Sequence, residues 1–282
     1  YFSEKIQSDL ISHLTREQSH YLKDVMRLNV GDLFTVFNTQ GEWQARVELA
    51  AVYRLTDYYG WTSVVYNHIT LRIPNTNTFL INPFGLRYDE IKASNLVKLD
   101  LEGNKLDNVD WPINQAGYNI HSAIHEARPN DMHCVMHTHE PISQTISALN
   151  VKVFPMVQEG CQLYERVGYH DFEGIVLNSA EKNRLIASLG DRNHTLVLRN
   201  HGLLTVGRTI AEAIAYMGRL VRACETQERL LAANATPVSL SKEICEFTVS
   251  QMNGRYGNAP IGDADWNAAF RRLVRQDPSF MS

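Results

Sequence analysis

No apolar run among the 282 residues reaches the ~18 needed to cross a bilayer. No signal peptide is read at the start, where the chain opens on Tyr1. A membrane span and a secreted product are therefore not expected. Excess positive charge is also missing. Lys plus Arg is 27 against 31 Asp plus Glu, a formal charge of −4, which argues against a wholly basic nucleic-acid binder. The four cysteines, Cys134, Cys161, Cys224 and Cys245, are widely spaced and form no CxxC pair. They read as reduced thiols, and a cytoplasmic protein is expected. Internal repeats and low-complexity stretches are absent. What is there is an ordinary globular composition, 44 % apolar and 21 % charged, which excludes a disordered tail or a collagen-like chain. The length allows one large or two modest domains with ample core.

Residues 1–48 read differently from the rest. A helical stretch begins at Leu14-Thr15-Arg16-Glu17, and Gly31-Asp32 turns into the β-branched and aromatic run Leu33–Phe37. Gly41 marks a second turn before Trp43–Val47, giving a helix and a hairpin. Yet Val47, Ala50, Ala51, Leu55 and Tyr58 recur at helical spacing up to Gly60, so 43–48 carries both a strand and a helix reading. The seam is placed there, with domains expected at 1–48, 49–240 and 241–282.

Beyond the seam, short strands alternate with helices. Strands are predicted at Ser63–Tyr66, Thr70–Ile73, Thr78–Ile81, Leu96–Asp100, Cys134–His139, Gly174–Leu177 and Thr195–Arg199. A helix over Tyr118–Ala127 stops before Pro129. Asn178 with Glu181, and Thr209 with Glu212, have capping-box spacing, and Gly190 closes the helix between them. The second box opens a long amphipathic helix through Ile210, Ala213, Met217, Leu220 and Cys224. A tail helix near Trp266–Val274, with Phe270 and Leu273 on its apolar face, is expected to pack either on its own core or on a neighbour's, the intersubunit contact being slightly preferred.

Eleven histidines are present, and three stand in a suggestive setting. His137 and His139 are two apart in Cys134–His139, and side chains two apart on a strand share a face. His201 follows the apolar run Thr195–Leu198, and Gly202 permits a tight turn there. If the two strands are neighbours, three imidazoles converge and leave a fourth ligand position open, a catalytic zinc pattern. An HxH pair also arises by chance, and a strand-end histidine also bonds backbone. His121 and His125, at i and i+4 on one helix face, have the spacing of a chelating pair but read first as a polar helix face. His13, His20 and His194 read as surface residues, and His170 as structural.

Several ordered motifs then point one way. They are Phe79–Gly85 (Phe-Leu-Ile-Asn-Pro-Phe-Gly), Ala93–Asp100, Asn114-Gln115-Ala116-Gly117, His121–Ile124, Ala127-Arg128-Pro129, His137-Thr138-His139 and Leu198–Gly202. In this succession they resemble the class II aldolase/adducin family over about 47–235, with a tail like that of bacterial members, and Asn-Gln-Ala-Gly is the version of its adducin-like branch. The resemblance implies an α/β fold, three-layer α/β/α, around a mixed and mostly antiparallel sheet, with the small N-terminal helix-hairpin as an extension. It implies a homo-oligomer, usually a fourfold-symmetric tetramer. It also implies that His137, His139 and His201 ligate a divalent metal, Zn2+ first, with Mn2+ or Fe2+ also accommodated by histidine.

The motifs depart from the sugar-phosphate aldolases of that family in two places. Their proton-transferring glutamate falls on Gly117, or on Gln115 if the register slips, and neither takes a proton. Their phosphate-binding positions fall on Asn67-His68, Phe84-Gly85 and Gln115-Ala116, where a bulky Phe84 crowds a phosphate. Asn67, His68, Gly85 and Gln115 are thus expected to line a site for a small carbonyl compound. Candidate replacement bases are Glu140, Glu159, His121 and His68; the tyrosine a neighbouring subunit supplies in those aldolases falls near Gln158-Glu159. The expected function is a metal-dependent lyase that stabilises an enediolate or enolate. The alternatives are a non-catalytic oligomeric module like the adducin head and, third, an iron-dependent oxygenase on the same ligands. Separately, Tyr1–Glu4, Glu17–Leu22, Val25–Leu28 and Val30-Gly31-Asp32 resemble the N-terminal PUA-like domain of a 16S ribosomal RNA uridine methyltransferase. With five basic and seven acidic residues in 1–48, no nucleic-acid partner and no methylation are expected.

Overall fold

The computed structural model describes residues 41–175, 179–256 and 261–282. The helix and hairpin expected within 1–40, and the Asn178 cap, lie outside the described residues. Internal contacts divide the chain into Tyr1–Gln44 and Ala45–Ser282.

Seven strands form one sheet: β1 (His68–Arg72), β2 (Thr78–Ile81), β3 (Val97–Asp100), β4 (Cys134–Thr138), β5 (Val167–His170), β6 (Thr195–Leu198) and β7 (Gly202–Gly207). Their order is β3-β2-β1-β4-β7-β6-β5. Every pairing is antiparallel except β5 with β6. The helices are α1 (Glu42–Tyr58), α2 (Gln115–Ala127), α3 (Pro141–Ala148), α4 (Gln158–Gln162), α5 (Lys182–Leu189), α6 (Ile210–Ala232), α7 (Lys242–Tyr256) and α8 (Asp263–Gln276). The central strands β1, β4, β6 and β7 are buried along their whole length, as strands covered on both faces must be.

Local chemistry sets the ends. Asn114 caps α2 by accepting from the Gly117 amide at 3.1 Å, and α2 stops at Ala127 ahead of Pro129. Thr209 caps α6 by accepting from Glu212 N at 3.1 Å. Gly190, at φ 68°, closes α5 in a conformation that costs glycine nothing. Helices α2 and α5 bury Ile120, Ile124, Leu185 and Leu189 against Val135, Leu196, Leu198, Leu204 and Val206 on one face of the sheet. Helices α1 and α6 cover the other face. There the Tyr53 hydroxyl donates to the Ile69 carbonyl and accepts from the Ile69 amide at 2.8 Å and the Asn82 amide at 3.2 Å. Replacing Tyr53 by phenylalanine strips two buried amides of their acceptor, and we expect a loss of about 1–3 kcal/mol. A lower denaturant midpoint at unchanged m-value is the reading that checks it.

Several expectations are corrected. Residues 43–48 take the helical reading within α1. Ser63–Tyr66 forms a turn rather than a strand, because Val64 takes a positive φ of 51°. Gly174-Ile175 is a bend, and the rest of that expected strand lies outside the described residues. Strands β5 and β7 and helices α3, α4 and α7 were not foreseen. The tail helix α8 packs on α6 of its own chain, burying Leu273 and setting Trp266, Phe270 and Phe280 ring to ring. Among the described residues no helix is long and apolar enough to cross a membrane.

Candidate metal centre

The two strands that lead to the three histidine candidates, β4 and β6, do not touch directly. β7 lies between β4 and β6 and brings the turn after β6 up to the end of β4. That turn is tight: Asn200 adopts φ 54°, and a Cβ on Gly202 would stand 2.3 Å from the Thr138 carbonyl oxygen and 3.0 Å from Cδ2 of His139. Only a residue without a side chain lets the turn close onto the two histidines.

Here His137 Nε2 stands 2.6 Å from His139 Nε2 and 3.3 Å from His201 Nε2, and the three ligand atoms all lie within 4.8 Å of one another. His137 is fully buried, while His139 and His201 are partly open. The outer nitrogen of His137, Nδ1, is 2.8 Å from the Leu203 carbonyl. A carbonyl only accepts, so the proton sits on Nδ1 and the lone pair of Nε2 faces the other two rings. Burial, then the charges of His139 and His201, hold His137 well below the ordinary imidazole range. His139, by burial and then His201, and His201, by burial, are lowered to about 4. All three are neutral donors near pH 7.

This set fits a divalent ion. Zinc–nitrogen bonds of about 2.0–2.1 Å at tetrahedral angles require neighbouring donor atoms roughly 3.3 Å apart, the spacing of His137 and His201. The His137–His139 pair would have to open by several tenths of an ångström. A backbone carbonyl on the far nitrogen is the usual outer-shell partner of a ligating histidine. A second cluster, His170, Glu173 and Glu181, is already satisfied internally. His170 bonds Ser188 Oγ at 3.0 Å and Glu181 at 2.7 Å, and Arg184 clasps both oxygens of Glu173.

The other candidates fall into two groups. His68 heads β1 directly opposite His137, their ring centroids 4.9 Å apart. Its Nδ1 is 2.9 Å from His121 Nε2, so His121 is linked to the centre through His68. Both rings are buried, against the expectation that His121 and His125 form a polar helix face. His121 and His125 turn inward because the Thr70 hydroxyl on β1 is hydrogen-bonded to each of them at 2.8 Å. Gly117, on the first turn of α2, abuts His68 so closely that a Cβ would stand 2.5 Å from its ring. Asn67 is buried just before His68 and donates to the Trp61 carbonyl at 2.9 Å.

Glu140 does not join the centre. The strand ends at Thr138, and Glu140 becomes the residue before α3, with Pro141 at the first helical position. Its buried carboxyl lies beside Thr138 and Ser143 and acts on Cys224 of α6, and burial raises its pKa. That is the α6 side, where Thr138 meets Met217. Glu159 pairs with Arg222 of α6 at 3.4 Å. Gln115 is exposed and donates to Asn119 at 3.3 Å. Gly85 lies in an exposed loop at φ 103°. None of these four contacts the three rings among the described residues. His194 is half-buried and stacked on Tyr216 at 4.7 Å, not a free surface residue.

Comparison with known proteins identifies relatives of the chain. The family profile of the class II aldolase and adducin N-terminal domain matches residues 47–228. An RNA methyltransferase PUA domain profile matches residues 14–50, most of them outside the described part. A Caulobacter vibrioides protein named for aldolase class 2 is 43 % identical over 243 residues, 86 % of this chain and 93 % of its own. Alpha-adducin of Rattus norvegicus is 44 % identical over 204 residues, 71 % of this chain but 28 % of its own. Among solved structures, an aldolase II superfamily protein from Pseudomonas syringae matches with a TM-score of 0.79 at 41 % identity, covering 87 % of this chain and 98 % of that one. L-fuculose 1-phosphate aldolase from Glaciozyma antarctica gives 0.75 at 26 % identity, covering 88 % and 96 %.

Proposed function

Since the chain belongs to the class II aldolase and adducin family, we propose that it is a divalent-metal lyase acting on a small, non-phosphorylated hydroxy-carbonyl compound, with His137, His139 and His201 as ligands and zinc as the ion. One observation carries the reading: three neutral imidazoles converge on one point with the outer proton of His137 committed to a backbone carbonyl. When bound, such an ion supplies Lewis acidity toward a carbonyl or hydroxyl oxygen. The chain's own part is to hold three neutral donors in place, to keep one flank open at the partly exposed His139 and His201, and to present His68 beside them. Gly117 offers no carboxylate, and its closeness to His68 leaves no room for one. The organisation into an extension over 1–48, a catalytic domain over 49–240 and a tail, assembled as a homotetramer, belongs to the same proposal.

The test is elemental analysis of protein purified without chelators, followed by an aldehyde-trapping assay over a panel of hydroxy-ketones and hydroxy-acids. Near one zinc per chain and metal-dependent aldehyde release are expected. Metal without turnover would favour the second reading, an assembly module similar to the adducin head, which rests on Gly117 and on the likeness to alpha-adducin.

A further inference from the structure

A buried line of hydrogen bonds runs away from the candidate metal centre, and its polarity follows from one carbonyl. His125 Nδ1 is 3.2 Å from the Met132 carbonyl oxygen, which only accepts, so the ring proton of His125 sits on Nδ1 and Nε2 carries a lone pair. The Thr70 hydroxyl, 2.8 Å from that Nε2, must donate to it. Its oxygen is then the acceptor for His121 Nδ1 at 2.8 Å. That places the His121 proton on Nδ1 and leaves Nε2 bare to accept from His68 Nδ1 at 2.9 Å. His68 is thereby left with its lone pair on Nε2. Among the described residues this nitrogen takes no hydrogen bond, and it lies where a side chain on Gly117 would project, 2.9 Å from that Cβ position. His121 and His125 are wholly buried, and desolvation holds His121 well below and His125 at about 3, which keeps both neutral and the line unambiguous.

We propose that Thr70 and His125 are positioning residues that fix His68 in its Nδ1-protonated tautomer, so that Nε2 stands beside the three-histidine centre as the acceptor for a hydroxyl of the substrate. The acceptor role rests on the metal-centre reading above; the tautomer does not. The inversion argument makes the idea testable. Without an acceptor at position 125, the Thr70 hydroxyl is free to donate to His121 Nδ1. His121 then donates from Nε2 to His68, and the proton of His68 moves to Nε2.

The experiment reads tautomers directly, by long-range proton–nitrogen correlation spectra of histidine-labelled, metal-free protein, with signals assigned from His68→Gln and His121→Gln. In the wild type, His68 and His121 should each show one neutral form with the proton on Nδ1. Thr70→Val and His125→Phe should each mix or invert both, and Thr70→Ser should keep the wild-type pattern. The two disruptive variants attack the line at different points, so one that fails to fold leaves the other. The second arm titrates zinc-loaded protein with hydroxyacetone. Thr70→Val is expected to weaken binding roughly tenfold, the loss of one good acceptor, with zinc content unchanged and Thr70→Ser close to wild type. Unchanged tautomers in both disruptive variants would overturn the proposal. So would altered tautomers with unaltered hydroxyacetone affinity at full zinc occupancy. A wild type that takes up no zinc would instead sink the metal centre, while the metal-free spectra still decide the tautomer.

Discussion

Protein carrying His139→Ala is expected to come off purification with almost no bound metal, while the wild type holds about one ion per chain. The physical reason is the thinness of the ligand set. Among the described residues three protein donors meet at the point where the ends of β4 and β7 and the turn after β6 come together, so deleting one leaves two donors and two or more positions for water. Loss of an outer-shell partner alone commonly costs 10–100-fold in affinity; loss of a ligand should exceed the upper end of that range. The stabilisation that bound metal gives the native state, RT ln(1 + [L]/Kd), should vanish with it, so the melting temperature of the variant should no longer respond to added zinc. Glu140→Gln and Glu159→Gln are the matched controls. Both carboxylates lie on the α6 side of the sheet, off the three rings, and both variants should retain wild-type metal content. An undiminished zinc content in His139→Ala would refute the assignment, and loss in Glu159→Gln would place the ion elsewhere.

The legible parts of this protein were those where one residue type answers one local need. Period-two and period-3.6 patterns with caps announced β1 to β4, β6, α2, α6 and α8, and the pairing of His137 with His139 followed from the two-residue repeat of a strand. The convergence of His201 was conditional in the sequence on β4 and β6 being neighbours. The sheet supplies the condition indirectly, through β7, an apolar run masked by its proximity to the Asn200-His201-Gly202 turn. β5 was missed because Val-Gly-Tyr-His is short and contains a glycine, tolerated where a Cβ would meet the Ser188 carbonyl at 2.3 Å. The inward turn of His121 and His125 could not be read from their helix. Spacing said only that they share a face, and what makes that face the buried one is Thr70, a strand residue about fifty positions away. A signal was available in retrospect: Thr70 and His68 are i and i+2 on a strand, the same repeat that singled out His137 and His139.

Acid should unfold the metal-free protein early, and His125 lets the cause be isolated. An unfolded chain has imidazoles near pKa ~6.5, whereas burial, with Arg72 and His133 adding to it, lowers His125 in the native state to about 3. The sign is that of a group whose charged form the fold excludes. Above about pH 6.5 neither state binds the proton and His125 does not tilt the balance. Below it the unfolded chain takes up a proton that the native chain refuses until near pH 3, so stability falls by about 1.4 kcal/mol per pH unit for this residue alone. His121, also lowered well below its ordinary value by burial, by His68 and by His125, adds a similar slope. Denaturant titrations in the presence of chelator at pH 7, 6, 5 and 4.5 should therefore show a decline steeper than one proton can account for. His125→Phe keeps the stacking against Phe79, whose ring centroid is 5.0 Å away, but removes the titrating group and the acceptor of Thr70. At pH 7 that variant should be the less stable protein, having lost two buried hydrogen bonds. By pH 4.5 its deficit should have narrowed by about 2–3 kcal/mol, because one of the refused protons no longer exists. A deficit that stays constant across this range would mean that the native state binds the His125 proton as readily as the unfolded chain does, and that the fold does not exclude the charged ring.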